Sequence, residues 1–374
     1  MNRPFRFVFA LLSLSASVWA VDGTFVGQGN GTATTANYSD TTKWSGGTVA
    51  SGTGATATIN LNGTTGAGAT AITVTAPVTI GNLTLATSSG GNFSLTGNGT
   101  AANSTVTWAT SSGTPTINLA TWFNKSYGFG GGALTFAGNQ GLRVITGSNF
   151  FNPASGGLSW SGFSGTLTVT TSGGENGVID PATGGTLPAT RLSLVQGTGA
   201  STITLGMFGG RNQTIGGFDG TAQTYVRNNS TSVFSTLTLG TNNESGNFQG
   251  FFGKNPGAAA TDFRSNIAIT KNGSGTQTFS GTSYGAGTTT INAGTFLMNG
   301  SHIATITTTA TETTATETIT TSPRSQTRSR TVRRMTPTSA KIARSIDQCS
   351  GQWTMKPAST SPDPAVASQG AARS

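Results

Sequence analysis

The sequence has very little cysteine, histidine or charge. Cys349 and His302 are the sole residues of their types among 374, and charged residues make up only 8%. These counts rule out an internal disulfide, and they also rule out a Cys/His or Ser/His pair or a multi-histidine metal site within residues 21–301. We therefore expect a fold held by hydrogen bonds and apolar packing, with no catalytic residues, no metal and no cofactor.

The basic character of the chain lies mostly near its C-terminus. Residues 21–301 carry nine basic and seven acidic side chains, and another nine basic side chains follow His302. Most of the net charge of +9 therefore comes from the segment after residue 301 and not from residues 21–301. Because no basic stripe interleaved with aromatic residues runs through 21–301, we expect no nucleic-acid partner.

The N-terminal segment "MNRPFRFVFALLSLSASVWA" is predicted to be a secretory signal covering residues 1–20. Arg3 and Arg6 precede an apolar run from Phe7 to Leu14, and small residues lead up to a cleavage point expected after Ala20. A membrane anchor is the alternative, but this run falls short of the roughly 20 apolar residues that span a bilayer. We expect export to the cell surface or beyond, with no transmembrane span in the mature chain.

Residues 21–301 read as an all-β body. The chain has 55 glycines and few helix formers, and short runs alternate apolar with Thr or Ser residues. Alternate residues would share one face in pairs such as Ile72 and Val74, Leu83 and Leu85, Phe93 and Leu95, Leu167 and Val169, and Leu237 and Leu239. Gly and Asn separate these runs at intervals of about ten residues, which is typical of an antiparallel β-sandwich or of a β-solenoid. The number of runs and the small spacers favour a solenoid of about a dozen coils.

Residues 267–300, "IAITKNGSGTQTFSGTSYGAGTTTINAGTFLMNG", resemble the autotransporter-associated β-strand repeat. Residues 213–250 resemble the sequence that commonly precedes this repeat, and 78–87 are a fainter copy. The resemblance implies a right-handed parallel β-helix outside the cell in Gram-negative-type bacteria, and it brings no catalytic residues. The residues that fall on the repeat pattern are Lys271, Gly273, Gly275, Thr276, Phe279, Ser280, Gly281, Tyr284, Gly287, Thr288, Thr289, Ile291, Asn292, Gly294, Thr295, Phe296 and Asn299.

Residues 302–374 have a different composition. Only two of the 55 glycines lie there, Trp353 is the one aromatic residue, and no alternating strands of an outer-membrane barrel or apolar sorting helix follow the body. We expect a disordered segment. It is either a solvated Thr/Ser/Pro stalk or, because the repeat match stops abruptly near residue 301, the product of a frameshift.

The sequence favours a structural or adhesin-like rod that contacts extracellular polysaccharide or other cell surfaces. The alternative is a secreted β-helix that binds or degrades polysaccharide, which would need clustered carboxylates. Only Glu175 and Asp180 lie close in sequence among the body's acidic residues Asp22, Asp40, Glu175, Asp180, Asp219, Glu244 and Asp262. Aromatic clusters could stack on sugars but are better explained as core, namely Trp122, Phe123, Tyr127, Phe129, Phe150, Phe151, Phe248, Phe251 and Phe252.

Overall fold

The computed structural model describes residues 19–26, 34–60, 70–86, 92–120, 126–147, 150–153, 157–181, 186–230, 232–253, 266–285, 287–302, 306–309, 315–321, 342–344 and 351–357. The predicted signal segment 1–18, together with Trp122 and Phe123, lies outside these residues. The disorder predicted for 302–374 also falls largely on residues outside them.

The described chain is almost entirely β-strand, with four short 3₁₀ turns at Thr41–Lys43, Ser45–Gly47, Ala101–Asn103 and Thr241–Asn243. In chain order the strands are β1 (Gly23–Val26), β2 (Thr34–Asn37), β3 (Thr56–Asn60), β4 (Thr70–Val74), β5 (Val78–Ile80), β6 (Asn82–Leu85), β7 (Phe93–Gly97), β8 (Thr105–Trp108), β9 (Thr116–Leu119), β10 (Ser126–Phe129), β11 (Thr135–Gly138), β12 (Leu142–Thr146), β13 (Phe150–Pro153), β14 (Ser159–Phe163), β15 (Thr166–Thr171), β16 (Asn176–Ile179), β17 (Arg191–Val195), β18 (Thr202–Gly206), β19 (Gln213–Ile215), β20 (Gly217–Gly220), β21 (Thr224–Arg227), β22 (Ser235–Leu239), β23 (Gly246–Phe248), β24 (Phe251–Phe252), β25 (Ile267–Lys271), β26 (Thr276–Phe279), β27 (Thr282–Ser283), β28 (Thr289–Ile291), β29 (Thr295–Met298), β30 (Ser301–His302), β31 (Ile306–Thr309), β32 (Ala315–Thr321), β33 (Ile342–Arg344) and β34 (Gly351–Pro357).

These strands form a parallel β-helix, which confirms the predicted solenoid. Two long sheets contain eleven strands each. The first face has the order β1-β3-β6-β9-β12-β15-β17-β20-β23-β26-β29, and the second has β2-β4-β7-β10-β13-β16-β18-β21-β24-β27-β30. Each coil contributes one strand to each face, so the described residues form eleven coils where the sequence predicted about a dozen. At about 4.8 Å per coil, the stack is about 48 Å long.

A third position in the coil is filled by two separate sheets. The front third-face sheet has the order β14-β11-β8-β5, and the rear third-face sheet has the order β19-β22-β25-β28-β31-β33. β31 extends the parallel stacking past His302, with Thr289 paired to Thr308, whereas β33 adds to it antiparallel. β32 and β34 form a separate antiparallel pair.

The core is a continuous column of stacked apolar side chains. The alternating pairs that the sequence predicted to face one way are all buried, from Ile72 and Val74 to Leu237 and Leu239. Because successive strands of a face pair in parallel register, equivalent inward positions stack along that face. One such column in the first face runs through Ala57, Leu83, Ile117, Val144, Val169 and Leu194.

The N-terminal end of this stack is covered by the chain itself. Trp44 bridges antiparallel to Phe25 on β1, and the two rings meet edge to face with centroids 5.5 Å apart. Trp44 Nε1 donates to the carbonyl of Tyr38 at 2.7 Å, and the Tyr38 hydroxyl donates to the carbonyl of Ala50 at 2.9 Å. An open edge strand is a template for unwanted pairing. The segment from Tyr38 to Ser51 therefore protects the first coil.

Candidate functional surface

The one pair of carboxylates close in sequence is not a catalytic pair in the fold. Glu175 precedes β16 and Asp180 follows it, so an extended strand separates them by about 16 Å. Glycosidase carboxylates lie about 5 to 9.5 Å apart. Asp180 Oδ1 instead accepts a hydrogen bond from Arg211 Nη1 at 2.5 Å. Burial raises the pKa of Asp180, although Arg211 acts in the opposite direction.

Other acidic residues also have structural partners. Asp22 Oδ1 accepts from the Thr56 backbone N–H at 2.6 Å, and Asp40 caps a 3₁₀ turn by accepting from Thr42. Asp219 forms an ion pair with Arg191 at 2.6 Å. Asp262 lies outside the described residues. Within the described part of the chain, no group of three or more His, Cys, Asp or Glu side chains is placed to hold a metal.

A shallow groove of about 420 Å³ lies beside the first coil. It is lined by Asp22, Gly23, Thr24, Ser45, Thr48, Thr56 and Thr58. Among the described residues that line the groove, Asp22 is the one ionisable residue, and its carboxylate already accepts from a backbone N–H. The other described lining residues offer hydroxyls and no second carboxylate or base.

Most of the aromatic residues predicted as core or as sugar platforms are core. Tyr127, Phe129, Phe151, Phe248 and Phe252 are each no more than 1% exposed. Phe129 packs on Phe151 with ring centroids 5.2 Å apart, and Phe248 and Phe252 both pack on Phe279, at 5.6 and 5.3 Å. The explanation by core packing is therefore confirmed for these five.

Phe251 is the exception, because it points away from the core. It is half-buried on the outer side of the second face and stacks on Tyr225 of the preceding coil, with centroids 5.0 Å apart and planes 17° from parallel. The guanidinium of Arg227 lies 3.9 Å from the centre of the Tyr225 ring. We call Tyr225, Phe251 and Arg227 the ring platform. The sequence reasoning missed Tyr225 and Arg227, although "TYVR" places them on one side of a strand by alternation.

The described strands also carry outer columns of polar side chains, most of which are small. On the first face one column passes through seven coils, and on the rear third-face sheet threonine recurs in four successive strands. The first column contains Thr56, Asn82, Thr116, Arg143, Thr168, Ser193 and Asp219, and the second contains Thr214, Thr238, Thr270 and Thr290. Successive members lie one coil apart, about 4.8 Å.

In the repeat-like segment 267–300, Lys271 lies at a corner of the coil. Lys271 is fully buried, in register with Leu239 and Ile291, and its Nζ donates to the carbonyls of Asn272, Gly273 and Ala293 at 2.5, 2.9 and 3.3 Å. Burial lowers the pKa of Lys271. The Lys271 side chain therefore closes this corner of the coil.

No family model, no curated protein and no solved structure matches the chain. In the part of the chain that the structure describes, no helix is long and apolar enough to cross a membrane.

Proposed function

We propose that this chain is an exported rod that acts at or outside the cell surface as a structural or adhesin-like element, without catalysis of its own. The observation that carries the proposal is the combination of a continuous apolar core with long outer columns of hydroxyl and amide groups. Each polar contact of such a column is weak, but many act together on a polymeric partner. The partners that fit are extracellular polysaccharides and other cell surfaces.

The similarity of residues 267–300 to the autotransporter-associated repeat supports the same proposal. Gly240, Gly273 and Gly294 have positive φ values of 83°, 66° and 72° and stack at one corner of three successive coils. A Cβ on Gly273 would lie 2.1 Å from the Gly240 carbonyl oxygen. Glycine at this point of the repeat pattern is therefore a requirement of close coil stacking. We infer that the chain is built from repeats of this passenger type.

Export is tested by expressing the full chain in a Gram-negative host and finding where it goes. We expect mass spectrometry of the recovered protein to show Val21 at the N-terminus, and we expect added protease to digest it on intact cells. Retention in the cytoplasm with residues 1–20 still attached would contradict the proposal.

The competing function is polysaccharide degradation. It is tested by incubating the purified full chain with a broad polysaccharide panel and measuring new reducing ends and unsaturated products. We expect binding to some polymers without turnover. Turnover by the wild-type chain that is lost when one of its carboxylates is replaced by the amide would locate a catalytic site and overturn the non-catalytic proposal.

A further inference from the structure

The front part of the rod carries almost no charge. Residues 44–142 contain one charged side chain, Lys125, which lies outside the described residues. The segments 27–33, 61–69 and 87–91 also lie outside the described residues, and they contain no Asp, Glu, Lys or Arg. No ionic group from these three segments can therefore alter the charge of this part of the rod.

Two outer columns run side by side along the first face of the first four coils, whose strands are β1, β3, β6 and β9. Outward residues two apart in a strand lie about 6.6 Å from each other, and the next coil repeats them about 4.8 Å away. Together these outward side chains form an array that we call the polar track. Its members are Asp22, Thr24, Thr56, Thr58, Asn82, Thr84, Thr116 and Asn118.

The polar track is bounded at both ends. In the fifth coil its two positions are occupied by Arg143 and Ile145, a cation and a large apolar side chain. At the N-terminal end, Ser45 and Thr48 line the groove of about 420 Å³ together with the first members of the track. A Cβ on Gly23 would lie 2.6 Å from the carbonyl oxygen of Thr48, so the capping segment packs closely against β1 and forms one side of the groove.

The carboxylate of Asp22 is held in place at this end of the track. Its Oδ1 accepts from the Thr56 backbone N–H at 2.6 Å. A carboxylate has about four lone-pair positions, so this bond leaves Asp22 able to accept from the hydroxyl groups of a ligand as well. Threonine hydroxyls and asparagine amides both donate and accept hydrogen bonds. The groove and the track therefore match a ligand that presents many neighbouring hydroxyl groups.

We propose that the polar track binds an uncharged polysaccharide, which lies along the rod with one sugar in the groove. Hydroxyl groups of that sugar donate to Asp22, and the following sugars exchange hydrogen bonds with the threonine and asparagine side chains. This inference rests on the proposed extracellular function and adds the class of its ligand and the place where it binds.

An acidic polysaccharide fits this surface less well. Arg143 lies at the far end of the track, and the one charged member of the track is the anion Asp22. In the N-terminal cap, Asp40 and Lys43 have opposite charges. A neutral polymer needs no cation, and although each hydrogen bond adds little affinity, a repeating ligand makes many of them at once.

The test measures binding of neutral polymers to the full chain. Hydroxyethylcellulose, laminarin and mannan are the probes, and calorimetric titration gives the dissociation constants. We expect at least one of them to bind, with a dissociation constant that changes less than about twofold between about 0.1 M and 1 M salt, because no ion pair is formed. Failure of all three to bind, or binding that is lost at high salt, would overturn the inference.

Variants locate the site. Asp22→Asn keeps the oxygen that accepts from Thr56 but removes the charge, and we expect about fivefold weaker binding. The double variant Thr58→Val with Thr84→Val removes two hydroxyls but keeps branched side chains, and we expect about tenfold weaker binding.

The matched control is the double variant Thr168→Val with Thr278→Val. Both threonines are half-buried and point outward on the same face, beyond Arg143. We expect this control to bind as tightly as wild type. If either test variant binds as tightly as wild type, or if the control loses as much affinity as the Thr58 and Thr84 double variant, the polar track is not the site.

The two proposals can fail separately. A chain that is exported and displayed on cells but binds none of the three neutral polymers would leave the rod function standing and remove its proposed ligand. Melting curves followed by circular dichroism show whether each variant is folded. If Asp22→Asn is not folded, the two double variants and the salt series on wild type still decide the matter.

Discussion

The front and rear third-face sheets fill the same position of the coil, in different coils, with different side chains. In the front sheet, Trp108, Phe136, Trp160 and Phe163 form a chain of edge contacts with centroids 5.1 to 5.4 Å apart. In the rear sheet the inward column is Ile215, Leu239, Lys271 and Ile291. At this position the coil therefore accepts inward side chains of different kinds. The front sheet provides aromatic rings, and the rear sheet, which includes the repeat-like segment, provides aliphatic side chains and Lys271.

The largest expected loss of stability comes from a substitution in the front third-face sheet. Trp108 is fully buried on β8, and its ring meets Phe136 at 5.1 Å. Trp108→Ala leaves a cavity between the third face and the core, and we expect the free energy of unfolding to fall by about 3 to 5 kcal/mol. Denaturant unfolding followed by circular dichroism measures the change. Phe234→Ala, at a ring that is 49% exposed, should change stability by no more than about 0.5 kcal/mol. Equal losses from the two variants would mean that the aromatic chain does not hold the front sheet.

A smaller effect is expected on the first face of the rear coils. Phe218 and Phe248 stack at 4.7 Å because Gly220 leaves room, and a Cβ on Gly220 would lie 2.4 Å from the Phe248 ring. Gly220→Ala should therefore lower the free energy of unfolding by about 1 to 3 kcal/mol. Gly174→Ala is the control, because Gly174 has open space around its Cβ position. A Gly220→Ala chain as stable as the control would show that the ring stack can shift at little cost.

Substitution of the buried Lys271 tests how much its hydrogen bonds contribute to the rear third-face sheet. Lys271→Met keeps the length of the side chain but leaves the three corner carbonyls without their ammonium donor. We expect a loss of about 1 to 3 kcal/mol, measured by urea unfolding at neutral pH. Leu239→Met, at the same position one coil earlier, should cost less than about 1.5 kcal/mol. If the lysine variant is more stable than wild type, the cost of burying the ammonium exceeds the gain from its hydrogen bonds.

The smallest effect is a pH dependence. Burial lowers the pKa of Lys271 from its ordinary 10.5, so just below that pH the unfolded chain binds a proton that the folded chain has released. The free energy of unfolding of wild type should therefore rise, relative to Lys271→Met, as the pH increases toward 10.5. Unfolding curves from about pH 8 upward measure the difference. A difference that falls with pH would mean that the carbonyls keep the lysine charged.

The core was predictable from the sequence because strand alternation is a local property. Leu83 and Leu85 or Phe93 and Leu95 share a face in any extended strand, and their burial followed from that alone. The corner of Lys271 was not predictable in this way. A lysine next to glycines reads as a solvated turn, and its burial depends on carbonyls at Asn272, Gly273 and Ala293, the last of which belongs to the next coil.

The ring platform was only partly predictable. Alternation within "TYVR" gives Tyr225 and Arg227 a common side, but the pairing of Tyr225 with Phe251 depends on a register between coils. That register is set by the lengths of the turns, which a pattern within one strand does not contain. The pairing of Asp180 with Arg211 has the same origin, because the two side chains meet only when β16 and the segment after β18 are stacked.

The most direct test of the account is whether consecutive coils stack in the stated parallel register. Thr238 and Thr270 are paired across adjacent coils, whereas Thr290 is one coil further on, about 9.6 Å from Thr238. In a Cys349→Ser background, Thr238→Cys with Thr270→Cys should form a disulfide under mild oxidation, and mass spectrometry of peptides identifies it. Thr238→Cys with Thr290→Cys should stay reduced. Cross-linking of the second pair in preference to the first would contradict the solenoid register on which the account depends.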